Sequence, residues 1–174
     1  MRKLLILGAG GYGKTVADVA AQLGYDHIRF LDDSRTGETI LGKCEDYARF
    51  VDSGTEIYPA FGHNGNRMMW LETFLEKGLS VPTLIHPRAY VSPTAKIGTG
   101  TVVLPMAVVN TGVTVKEGCI INIGALIDHD NVIEAGCHLA PGAIIKAENH
   151  IPAGIKIESG EVVFNANMEF TLKR

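Results

Sequence analysis

Two stretches of this 174-residue sequence bring together residue types that chemistry can use. The first is Ile127-Asp128-His129-Asp130-Asn131, a histidine between two carboxylates. A carboxylate that accepts from one imidazole N–H fixes the tautomer and stabilises the imidazolium, leaving the other ring nitrogen to take a proton. An oriented histidine of this kind contributes about 10²–10⁴-fold to a step in which an acceptor loses a proton. The second stretch is Gly8-Ala9-Gly10-Gly11-Tyr12-Gly13-Lys14-Thr15, which satisfies G-x-G-x-x-G and G-x-x-x-x-G-K-T at once. Small residues there let backbone N–H groups approach a phosphate at a helix N-terminus, where the helix dipole adds to the attraction.

The elements that carry these stretches follow two different patterns. From Val91 to Val163 an aliphatic residue recurs every six positions, thirteen times without a gap. Three places after the aliphatic, glycine fills eight of the thirteen sites, among them Gly100, Gly112, Gly118, Gly124, Gly136 and Gly142. Four places after it the residue is usually small, as at Ala95, Thr101, Ala107, Cys119, Ala125, Cys137 and Ala143. A period of six suits neither a continuous helix nor a continuous strand. It suits short strands and repeated turns that stack into a solenoid, with glycine supplying turn angles that other residues reach only with strain. If three hexads close one coil, residues eighteen apart stack. Asn131, Asn149 and Asn167 then form a column of amides able to bond along the axis. Cys119 and Cys137 stack as two buried thiols. His129 lies two places beyond the inward Ile127, so its ring points outward.

Residues 1–82 alternate strands with helices. Strands are expected at Lys3–Leu7, His27–Leu31 and Glu56–Phe61, and helices at Lys14–Leu23 and Asn66–Lys77. Val16, Val19, Ala20 and Leu23 form one apolar helix face, and the alternation implies a small parallel α/β sheet. Val81–Pro87, with its two prolines, reads as the hinge into a second domain at 83–174. Hydrophobic residues at 46%, charged residues at 20% and a net charge of −3 leave no basic footprint for nucleic acid. The longest apolar run, Val102–Val109, contains a proline, so no membrane insertion is expected. Three cysteines and a start without a signal-type cleavage site give a cytoplasmic protein as the expectation.

The glycine loop by itself admits several ligands. Lys14-Thr15 completes a nucleoside triphosphatase signature, but about 80 residues are too few for the large sheet that fold needs. Arg29 also interrupts the apolar run before Asp32. Asp32, 19 residues after Gly13, suits a nicotinamide dinucleotide, yet the second nucleotide-binding half is missing. A tight turn without a ligand is the plain structural reading. His129, His138 and His150 do not converge on a metal within one chain, because separations of nine, twelve and 21 are not multiples of eighteen.

The hexads resemble the left-handed parallel β-helix of hexapeptide acyltransferases, and this likeness implies the handedness. A glycine loop, then Phe30-Leu31-Asp32-Asp33, then Ala60-Phe61-Gly62-His63-Asn64, then hexads resembles one family over almost the whole chain. It is the family of sialic acid O-acetyltransferases and bacterial nucleotide-amino-sugar N-acetyltransferases. The resemblance implies a Rossmann-like domain at 1–82 that binds a nucleotide-sugar. Gly10, Gly11 and Gly13 would lie at the diphosphate, Tyr12 among the other substrate contacts, Asp32 and Asp33 at the nucleoside, and Gly62 and Asn64 on the neighbouring wall. Histidine often stands in the family where this chain has Tyr12. It further implies an acetyl-CoA-dependent transfer with His129 as general base, Asp130 as its orienter, and His138 and Ala147 at the coenzyme. No metal is implied, and three subunits would pair with coenzyme between neighbours.

The last hexads depart from the pattern. Glu148 replaces a turn glycine, while Asn149, Ile155 and Glu161 replace small residues. The family's terminal Gly-x-Pro-Ala-type segment is absent from Asn167–Arg174. A nucleotide-sugar-binding scaffold without catalysis therefore stands beside transfer, and the sequence does not distinguish an amine from a hydroxyl as the acceptor.

Overall fold

The computed structural model describes residues 1–164. Strand β1 (Arg2–Leu7) lies between β2 (Tyr25–Leu31) and β3 (Thr55–Pro59), and all three run parallel. Helix α1 (Gly11–Gln22) follows β1, and α2 (Asn64–Glu76) follows β3. Val16, Val19 and Ala20 are the buried face of α1, as their spacing requires. Both helices start two or three residues earlier than the sequence pattern suggests, because Gly11 and Asn64 already adopt helical turns.

From Leu84 onward the chain makes fourteen two-residue strands in three parallel sheets, the sides of a triangular left-handed β-helix. The first side holds Leu84–Ile85, Val102–Val103, Ile120–Ile121, His138–Leu139 and Lys156–Ile157. The second runs from Tyr90–Val91 to Val162–Val163, and the third from Lys96–Ile97 to His150–Ile151. Successive coils are in register at eighteen residues, as Ile121↔Leu139 and Ile127↔Ile145 illustrate. The inward aliphatics from Val103 to Ile157 are all buried.

Two sequence expectations are corrected. The segment read as a hinge is already part of the first coil, since Leu84–Ile85 pairs with Val102–Val103. The asparagine column does not bond amide to amide. Asn131 Oδ1 accepts the Asn149 N–H of the next coil at 2.8 Å, and Asn131 Nδ2 donates to the Asp128 carbonyl at 2.6 Å. Backbone groups outcompete the stacked amide because the turn leaves them facing inward. Asn167 lies outside the described residues. Glu161 does not distort its coil: its carbonyl accepts the Ile144 N–H at 2.8 Å and its side chain is exposed. Cys119 and Cys137 are free and buried, each donating to a carbonyl fifteen residues on, at Glu134 and Pro152.

Helix α2 docks along one corner. Gly100, Gly118, Gly136 and Gly154 stack there with φ between 64° and 71°. A Cβ at Gly118 or Gly136 would meet Met68, and one at Gly100 would meet Leu71. The missing side chains therefore serve the turn and the helix together. Outward residues Leu84, Val102 and Ile120 are buried against the α/β half, in one core with Tyr58, Leu71 and Phe74. Gly118→Ala and Gly124→Ala share a left-handed backbone, which costs a side chain about 1–2 kcal/mol. Only the first also overpacks α2, adding about 1–3 kcal/mol. Denaturant melts of the two variants should differ accordingly, and equal losses would contradict the docking role.

Candidate active site

His129 stands in the turn between the second and third sides, with about half of its side-chain surface open. Its Nδ1 lies 2.9 Å from Asp130 Oδ2. With a carboxylate on that side, hydrogen bonding assigns the proton to Nδ1 and leaves Nε2 as a base. The bond to Asp130, with the charges of Asp128 and Glu148, raises the imidazole pKa above its usual 6.5. Asp130 occupies the turn position that glycine fills elsewhere, at φ 55°. A non-glycine residue held there carries backbone strain of the kind found at functional sites. Ala147 stacks on His129 one coil later, eighteen residues on.

His138 begins the fourth strand of the first side and faces a cleft of about 560 Å³. The opposite wall is Gly62, His63, Asn64 and Gly65, with Gly154 and Lys156 completing the lining. Asn122 Oδ1 accepts the Ile123 N–H at 2.8 Å, so its Nδ2 is the group 3.0 Å from His138 Nε2. Nε2 must then accept, and the proton sits on Nδ1. That Nδ1 is buried with no hydrogen-bond partner. Burial pushes the imidazole pKa down to about 4, assisted by the charges of Arg67 and Lys156 and opposed by Glu158. An unpaired buried donor costs about 1–3 kcal/mol.

Within one chain, therefore, the structure does not bring the two histidines together: His129 is at the corner opposite the side that carries His138. It does unite His138 with Gly62 and Asn64. Among the described residues no three His, Cys, Asp or Glu gather as for a metal ion.

The glycines of the first loop divide by role. A Cβ at Gly8 or Gly13 would strike Ala60 or the Gly8 carbonyl, so these two close the loop on itself. Gly10 and Gly11 face open space. Helix α1 has no side-chain cap and no acidic residue in its first turn, so its N–H groups remain available to an anion. Asp32 is spent on the loop. Its carboxylate accepts from Ala9 N at 2.7 Å and from the Ser34 and Arg35 backbone at 2.9 Å. Partial burial opposes its charge, but these donors outweigh it and hold the carboxyl below its usual range. Asp33 accepts from Cys44 N at 2.9 Å. The Tyr12 hydroxyl sits 3.3 Å from that of Tyr58, and burial pushes its pKa up to about 12. Asn64 bridges Arg67 and the Gly154 carbonyl, each at 2.9 Å.

Residues 3–74 match the family described as the PglD N-terminal domain. The acetyltransferase domain of PglB from Neisseria gonorrhoeae FA1090 is 39% identical with a TM-score of 0.90, over 93% of this chain and 82% of that one. The chain belongs to the hexapeptide-repeat sugar acyltransferases. The same PglB domain is also solved in complex with acetyl coenzyme A. Perosamine N-acetyltransferase from Caulobacter crescentus, solved as a histidine-to-asparagine variant with CoA and GDP-perosamine, shares the fold. It is 24% identical with a TM-score of 0.83, over 94% of this chain and 89% of that one.

Sequence reasoning about this acyltransferase missed Asn122, Arg67 and Arg35. Arg35 lines a pocket beside the glycine loop with Lys14, Thr36 and Thr39. Arg67 did leave a signal, since it shares a helix face with Leu71 and Phe74 at i, i+4 and i+7 and is buried with them. Asn122 left none. His138 gives this acyltransferase a testable pH signature. Below its unfolded pKa of about 6.5 the unfolded chain binds a proton that the folded chain refuses until about pH 4. Stability should therefore fall as pH drops through that window. Urea melts of wild type against His138→Gln should show a difference that grows between those limits, and parallel curves would contradict the buried neutral imidazole.

Proposed function

We propose that the protein transfers the acetyl group of acetyl-CoA to the amino group of a nucleotide-linked amino sugar. Gly10 and Gly11 would meet the diphosphate with their backbone N–H groups, while Asp32 holds the loop in place through Ala9. Asp33, Gly62 and Asn64 border the same ligand, and Tyr12 and Gly13 shape its floor. The observation that carries the reading is the opposite proton arrangement of two imidazoles. His129 offers a lone pair at Nε2 backed by Asp130, and His138 offers an N–H at Nδ1 with nothing to bond.

In this mechanism His129 Nε2 takes the proton of the attacking amine as the bond to the thioester carbon forms. His138 Nδ1–H donates to the carbonyl oxygen as it gains negative charge, a contact worth more in the transition state than in the ground state. The thiolate leaves and recovers the proton from His129. Because the two imidazoles sit on different sides of one prism, His129 of one subunit would work with His138 of the next. An apolar stripe on the second side, Tyr90, Val108, Leu126, Ile144 and Val162, supports association of three copies.

Thiol release from acetyl-CoA in the presence of nucleotide-linked amino sugars tests the reading. Turnover is expected, and its absence with every acceptor would overturn it. His129→Ala should lower kcat about 10²–10⁴-fold while nucleotide-sugar binding persists. The base is active only when unprotonated, so the rate should fall as pH drops through a value above 6.5. Asp130→Asn removes the main cause of that raised pKa, so the acid limb should move to lower pH. Light scattering should give three times the 18.7 kDa chain mass, reduced by Leu126→Glu, whereas a wild-type monomer would exclude the shared site.

A further inference from the structure

Arg67 is the largest fully buried side chain in the described structure. Its guanidinium meets no carboxylate. Nε donates to the Gly118 carbonyl at 2.7 Å and Nη1 to the Phe61 carbonyl at 3.0 Å. Nη2 donates to Asn64 Oδ1 and to the Gly136 carbonyl, both at 2.9 Å. A buried cation without a counter-ion is costly, and neutral packing could join α2 to the solenoid without that cost. Its contacts point to what the charge is for. On one side they fix the cleft wall at Phe61 and Asn64. On the other they fix the turns at Gly118 and Gly136, the second of which leads directly into His138.

We propose that Arg67 is a positioning residue for the transfer that acts through His138. It locks the sugar-side wall to the strand bearing that imidazole, and its charge adds to the burial that keeps the imidazole neutral. The charged and titratable groups around His138 are Arg67 from α2, His63 from the facing wall, and Lys156 and Glu158 from the next coil. Of these, Lys156 is already paired with Glu158 at 2.9 Å. Arg67 is thus the buried cation in the set with no carboxylate to offset it.

The proposal rests on the donor role given to His138, so one arm of its test is read without turnover. Histidine side chains labelled with ¹⁵N are titrated by NMR in the ligand-free protein, wild type against Arg67→Gln. Removing the charge should move the His138 titration up toward 6.5. An unmoved titration in a folded Arg67→Gln protein would overturn the proposal. Should that variant fail to fold, Arg67→Lys keeps the charge but cannot span the two turns and the wall together. It should leave the His138 titration in place, raise the KM for nucleotide-sugar and lower kcat by about tenfold or more, as small misplacements far from the chemistry do. Arg67→Lys kinetics within about twofold of wild type would equally overturn it. Inactivity of the wild-type enzyme would fall on the donor role instead, since the titration stands apart from it.

Discussion

Each coil of this solenoid turns three times, and most of its turns place one residue in the left-handed region of backbone space. Glycine meets that demand without strain and also leaves no side chain outside the corner. Where glycines stack at 100, 118, 136 and 154, the corner becomes a groove that α2 fills with Met68 and Leu71. Docking α2 there sets the 61–64 wall opposite His138. At the corner that precedes it in each coil the same backbone demand is met by Asp130 and Glu148 at φ 55° and 59°. Those two carboxylates flank His129. One conformational requirement thus fixes the domain junction at one corner and arms a base at another.

The two imidazoles acquire their roles from their immediate partners rather than from their own chemistry. A carboxylate in an open setting raises the His129 pKa and turns its proton inward, and solvent keeps Nε2 accessible. Burial and the charges of Arg67 and Lys156 push His138 the other way, to about 4, while the Asn122 amide fixes its tautomer. A pair so divided can take a proton and donate a hydrogen bond at the same pH. The unpaired Nδ1 and the buried guanidinium without a counter-ion are both costs in the free protein.

Much of this was legible in the sequence because the repeat is strict. Six-residue spacing gave the coil, the core and the stacking register, and it put His129 outside the prism. The same arithmetic failed where side chains compete with backbone. The Asn131 amide turned to the Asp128 carbonyl and the Asn149 N–H instead of to its stacked neighbour. The prolines around Leu84–Ile85 read as a hinge, although that pair already belongs to the first coil. In the glycine loop the motif was visible, but not that Gly13 serves packing while Gly10 and Gly11 face solvent. Local pattern shows that Arg67 lies on the buried face of its helix, but not its bonds to Gly118 and Gly136, nor the bond of Asn122 to His138, which join residues far apart in the chain.

No helix among the described residues is long and apolar enough to cross a membrane, and assembly through the solenoid sides is the association that the proposed chemistry needs. The central claim is that a base from one copy and a donor from another make one site. Co-expression of His129→Ala chains with His138→Ala chains tests it most directly. Neither variant alone should release thiol at an appreciable rate, whereas mixed assemblies should regain part of the wild-type activity, because some interfaces then hold both intact histidines. Mixed assemblies that form and stay inactive would show that the two histidines act from the same chain, and would contradict the account.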